Sequence, residues 1–109
     1  MPIRPVYFVS DGTGITAETI GNSLLTQFGG LEFERQRLPF VDTLEKARQA
    51  AETIRAGGER HGCQPIIVNT IVDSEMTQVL AASGALLLDV FEPFMPRLEQ
   101  ALGQPWTPR

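Results

Sequence analysis

Residues Pro5-Val6-Tyr7-Phe8-Val9 run straight into Ser10-Asp11-Gly12-Thr13-Gly14 and then Ile15-Thr16-Ala17-Glu18-Thr19-Ile20-Gly21. This passage constrains the fold more than any other. Val6 to Val9 is a β-branched and aromatic run, which predicts a buried strand. Ser10 to Gly14 is a polar, glycine-rich turn. From Ala17 the apolar residues fall at Ala17, Ile20, Gly21, Leu24 and Phe28, the spacing of one helix face. Strand, glycine-rich turn and helix open a parallel α/β sheet. The turn sets free backbone N–H groups at the positive end of a helix, where anions bind. Ala17 stands where the dinucleotide fingerprint has its third glycine, which the looser form of that pattern tolerates. The second predicted strand ends in Arg37-Leu38-Pro39, however, and lacks the acidic residue that would hold a ribose. No Gly-Lys-Ser/Thr follows the turn, so it is not a Walker loop.

The same unit recurs along the chain. Gly29-Gly30 is expected to end the first helix, and residues 32–38 to form a second, more exposed strand at the sheet edge. Asp42 and Glu45 have capping-box spacing ahead of Leu44, Ala47, Ala51 and Ile54, which predicts a helix from Thr43 towards His61 with Gly62 as its stop. Gly57-Gly58 would weaken its last turns. Residues 66–71 form an apolar run suited to a strand covered on both faces. Asp73 or Ser74 then caps a helix carrying Met76, Val79, Leu80 and Ser83, closed by Gly84. Residues 85–90 read as a fourth buried strand. Pro93 and Pro96 suit the start of a last helix, with Leu98 and Leu102 inward and Gly103 at its end. Right-handed crossovers between parallel strands give a three-layer, four-stranded parallel sheet of order 2-1-3-4, Rossmann/flavodoxin-like, with ligands expected beside the switch between strands 1 and 3.

Composition sets bounds. A chain of 109 residues suits one domain of about 100–150 residues. Net charge −4 argues against a nucleic-acid backbone as partner. No apolar run approaches the ~18–20 residues of a membrane span. A single cysteine, Cys63, forms no internal disulfide and fits a reducing cytoplasm.

Ser10-Asp11-Gly12-Thr13-Gly14-Ile15-Thr16-Ala17-Glu18, then Leu38-Pro39-Phe40-Val41, then Pro65-Ile66-Ile67-Val68-Asn69-Thr70-Ile71-Val72 together resemble, in the same order, the regulatory proteins of phosphoenolpyruvate synthase and pyruvate,phosphate dikinase. The resemblance runs over nearly the whole chain. It implies a bifunctional enzyme that phosphorylates a threonine of its target with ADP, and removes that phosphate with inorganic phosphate, releasing pyrophosphate. It also implies a longer chain whose nucleotide-binding P-loop lies in a later domain. On that reading residues 1–103 are the amino-terminal domain, and residues 104–109 begin a linker to a nucleotide-binding domain absent from this sequence. The domain alone would hold neither ADP nor a metal and would be inactive. Its partner would be one of the two target enzymes, with a homodimer left open.

The carboxyl ends of the predicted strands gather Ser10 to Thr13, Asp42-Thr43, Thr70 with Asp73-Ser74, and Asp89 with Glu92, so all four aspartates share one rim. One reading is a hydroxyl-and-carboxylate pocket that holds magnesium or, through it, phosphate. The plainer reading makes Asp42 and Asp73 helix caps and gives Asp11 to its own turn. Ser10, Asp11, Gly12, Thr13, Gly14 and Thr16 are the phosphate- or partner-binding candidates, with helix capping as the alternative role of the three hydroxyls. No catalytic residue is assigned. His61 reads as a solvated helix end and Cys63 as a buried or half-buried thiol. Lys46, the single lysine, follows no glycine-rich loop. Arg35 and Arg37 read as solvated edge-strand residues. Two rivals to the regulatory-protein reading stand on the same residues. A free-standing phospho-ligand binder would use the Ser10–Thr13 turn. A receiver-like domain would need a lysine after a late strand, which the chain lacks.

Overall fold

The structure is a computed structural model and describes residues 3–107. Eight elements alternate: β1 (Arg4–Val9), α1 (Ile15–Leu25), β2 (Phe33–Leu38), α2 (Leu44–His61), β3 (Ile66–Asn69), α3 (Ser74–Ala81), β4 (Leu86–Asp89) and α4 (Met95–Leu102). The strands form one parallel sheet in the order β2-β1-β3-β4. This is the three-layer α/β architecture and strand order that the alternation of elements implies.

Strand alternation divides the core into two halves. Tyr7, Val9 and Ile67 face α2 and α3, where Ala47, Ala50, Ile54 and Leu80 close over them. Val6, Phe8 and Val68 face the other way, towards Ala17 and Leu25 of α1. Two glycines are the means of that packing. A Cβ at Gly21 of α1 would overlap the Phe8 ring, and one at Gly57 of α2 would overlap the Tyr7 hydroxyl. Gly57, near the end of α2, therefore brings helix and sheet together, while Gly58 makes room for Pro65 in the loop before β3.

Local signals decide where the helices begin and end. Gly62 and Gly103 adopt left-handed conformations at the ends of α2 and α4. The N-cap of α2 is Thr43, whose hydroxyl accepts from the Lys46 N–H at 3.1 Å. The expected cap, Asp42, stands one residue too early and bonds the Lys46 ammonium instead, at 2.9 Å. Asp73 caps α3, accepting from Met76 N–H at 2.9 Å.

Four further expectations are corrected. α1 stops at Leu25, short of Gly29-Gly30, which leaves Phe28 outside the helix and 62% exposed. β4 is not buried: its residues alternate between exposed and half-covered, because no helix of the described residues lies over its α1 side. Leu98 and Leu102 do not point inward, since α4 buries none of its residues. His61 is held by Glu34 of β2 at 3.2 Å and is largely shielded from solvent. Cys63 is half-buried, as read. Of the expected linker, Pro108 and Arg109 lie outside the described residues.

Candidate functional site

β1 and β3 are neighbours whose chains leave the sheet in opposite directions, β1 towards α1 and β3 towards α3. The loops part there and open a cleft of about 350 Å³ lined by residues 10–16, Thr70, Val72 and Phe91. All six sequence candidates, Ser10, Asp11, Gly12, Thr13, Gly14 and Thr16, lie on its wall.

The turn is braced from two sides. The Ser10 hydroxyl accepts from Gly12 N–H at 3.0 Å, so Ser10, not Asp11, closes the turn. Gly12 C=O accepts from Phe40 N–H at 2.8 Å and Ser10 C=O from Val41 N–H at 2.9 Å. These bonds hold Phe40 at φ 59°, a left-handed conformation that bulky residues rarely take. On the far wall Thr70 N–H and hydroxyl both donate to Val9 C=O, at 3.1 and 3.4 Å.

The helix start itself is open. Gly14 is the N-cap of α1 at φ 86°, and no side chain caps it. The Thr13 hydroxyl makes only a long contact with Ile15 N–H, 3.4 Å. Of the hydroxyls expected as alternative caps, Thr13 thus caps only weakly and Ser10 serves the turn, and the first N–H groups of α1 have no intrahelical partners.

A cation stands beside the turn. In register with Phe8, Arg37 of β2 lays its stem against Gly14, where a Cβ would lie 3.4 Å from its Cδ. Its guanidinium pairs with Glu18 of α1 at 3.4 Å. Arg37 is solvent-exposed, as expected from the sequence, but its place beside the turn was not legible there. The signal that could have found that place is register, since a side chain late on β2 must pass the turn that follows β1. Arg35, two residues earlier, bonds Asn22 at 2.8 Å.

The aspartates do not converge. Asp42 is outside the cleft, and the Lys46 ammonium, by hydrogen bond first and charge second, holds its carboxyl below the usual range. Asp73 is spent on α3, and Asp89 accepts from Phe91 and Glu92 N–H at 2.9 and 3.0 Å. Only Asp11 belongs to the cleft. Among the described residues no group of three His, Cys, Asp or Glu is placed to hold a metal.

The family model for kinase/pyrophosphorylase matches residues 6–109. The chain belongs to the kinase/pyrophosphorylase family. A relative from Xanthomonas oryzae pv. oryzae, named "Putative phosphoenolpyruvate synthase regulatory protein", is 58% identical over 103 residues. One of the same name from Stenotrophomonas maltophilia (strain K279a) is 59% identical over 103 residues. Each match takes in 94% of this chain but 38% of the relative, so the chain spans little more than a third of their length. The resemblance read from the three motifs is thus the family's own. No helix among the described residues is long and apolar enough to cross a membrane.

Proposed function

We propose that this chain is the amino-terminal domain of a bifunctional enzyme that regulates phosphoenolpyruvate synthase by phosphorylating a threonine with ADP and removing that phosphate with inorganic phosphate. Within it, the Ser10–Thr16 turn holds a phosphoryl group, either inorganic phosphate or the phosphothreonine of the target. The observation that carries this role is the uncapped start of α1 opening into the cleft. The Thr16 and Ala17 N–H groups of the first turn are open to an acceptor, while Ile15 N–H makes only its long contact with the Thr13 hydroxyl, and the helix end favours an anion by about 0.3–1 kcal/mol. Arg37 adds positive charge on the same side. Asp11 opposes a bare phosphate, and its place at the tip keeps it able to turn towards solvent, where it is exposed.

The nucleotide is assigned to the part of the relatives that this chain does not span. Phosphoryl transfer needs positioned cations around the phosphates, and Lys46 is committed to Asp42. A free-standing phospho-ligand binder would use the same turn; the greater length of the relatives favours the domain reading.

The test is a double substitution, Gly12→Ala with Thr13→Val, at the aligned positions of a full-length relative. A Cβ at Gly12 meets nothing nearer than the Ser10 hydroxyl at 3.8 Å, so the fold should be kept. Phosphate-dependent dephosphorylation should fall at least about tenfold, roughly 1.4 kcal/mol of transition-state stabilisation. Full activity in both directions would reduce the turn to a structural one.

A further inference from the structure

The α1 side of the sheet is only half covered. Val68 faces α1, and by register and alternation Ile66, Leu86 and Leu88 share its side. α1 lies over β1 and β3, but Leu86 and Leu88 of β4 remain 47% and 37% exposed, as does Leu24 of α1 at 47%. Beside the start of α4 this face sinks into an apolar hollow of about 890 Å³. A second hollow of about 320 Å³ extends it towards Phe28 and Leu31, with Leu24, Val68 and Leu88 lining both. The two make one trough along β4.

Topology explains why nothing already described fills it. The steps β2 to β3 and β3 to β4 run in one direction across the sheet, so their right-handed crossovers put α2 and α3 together on the far face. Only the step from β1 to β2 runs the other way, and it places α1 here. No connection within β1–β4 can supply a second helix to this side. Parallel sheets, however, are covered on both faces.

We propose that in the full-length proteins of this family the trough is filled by the apolar face of a helix from the chain that follows α4, packed beside α1. Length and position select this occupant. The match lies in the amino-terminal part of relatives of which it spans 38%, so well over half of their chain is on hand. The rim itself carries the start of α4, with Pro93, Phe94 and Pro96 in its wall, so the following chain departs one eight-residue helix away. Among the described residues β4 also leaves its outer edge unpaired, so the sheet can be extended there by the following chain. A charged partner would find little here, because the charged lining groups stand at the two ends, Asp89 and Glu92 at one and Arg4 at the other, with Leu24, Val68 and Leu88 between them.

The test uses the full-length Stenotrophomonas maltophilia relative, 59% identical to this chain. Benzoylphenylalanine is placed, in separate variants, at the positions aligned with Phe94 and Leu24, and the irradiated protein is digested and mapped. Cross-links within one chain, to peptides carboxyl-terminal to the matched region, are expected from both positions. Cross-links between two copies would give the trough to a second subunit and overturn the proposal, as would their absence at both positions. A second variant, Leu88→Lys at the aligned position, reads burial without a probe. It should lower the Tm of the full-length protein by about 5 °C or more, because a charge would enter an apolar contact. An unchanged Tm would mean that the face stays wet, and the proposal would fall.

Discussion

Gly57 separates two arguments that make opposite predictions. By helix propensity alone, alanine is better than glycine inside a helix by about 1 kcal/mol, so Gly57→Ala in the middle of α2's last turns would stabilise the protein. By packing, the added methyl enters the space of the buried Tyr7 hydroxyl. Overpacking of a well-filled core costs about 1–3 kcal/mol, and Tyr7 is held between α2 and the sheet with 1% exposure. Packing should win, and thermal melts should show Gly57→Ala with a lower Tm. A higher Tm would mean that α2 can lift from β1 at little cost. Arg37 makes a related point about what one side chain shows in advance. Its charge and its strand were legible, but its role beside Gly14 depends on the register of β1 with β2, which no local pattern states.

At the scale of elements, the start of α2 is the sharpest case, because Asp42 and Thr43 are both good N-cap types. The structure gives the cap to Thr43 and the side-chain ion pair to Asp42. Thr43→Ala should therefore destabilise by about 1 kcal/mol, and by a similar amount at pH 7 and pH 3, because a hydroxyl does not titrate there. Asp42 behaves differently. Its folded pKa lies below the usual value through Lys46, so its contribution is present above the unfolded pKa and is lost as the pH falls through the folded one. The small Tm difference between wild type and Asp42→Asn should thus close on going from pH 7 to below about 4. A difference that persists in acid would mean that Asp42 acts through something other than its charge, and not through capping, since asparagine caps as well as aspartate. The starts of α2 and α3 were readable to within one residue. α4 was misread for a different reason: its apolar face is real in the sequence, but periodicity cannot say whether a partner is there to receive it.

For the whole molecule, strand order and the position of the cleft followed from chain direction and crossover handedness, which is why the Ser10–Thr16 turn could be placed before any coordinates. The uncovered side of β4 could not, since a buried strand and a strand awaiting cover have the same apolar composition. Val68 joins the two levels. It sits on β3 between Phe8 and Leu88 with 2% exposure, so Val68→Asp would bury an unpaired charge. Circular dichroism of that variant should show an unfolded chain. A native spectrum and melt would mean that the half-covered α1 side admits enough water to solvate the carboxylate.

Nucleotide binding is a property the 109-residue chain should lack, and the reason lies in its charge layout. A diphosphate needs cations and donors placed together. Here the single lysine is on the outside of α2, bonded to Asp42, and Arg55 is engaged by Glu52 and Glu59 on the same helix. Arg37, the cation nearest the cleft, already pairs with Glu18, and Asp11 stands in the cleft wall. A net charge of −4 adds a general repulsion. Calorimetric titration of ADP into the chain, with and without magnesium, should give no binding tighter than about 1 mM, equivalent to about −4 kcal/mol. On the proposed function, which puts the nucleotide site in the remaining chain, the same titration into a full-length relative should give a saturable isotherm. Micromolar binding by the short chain would overturn the assignment of the nucleotide to the later region, and would turn the Ser10–Thr16 cleft into a complete phospho-ligand site in its own right.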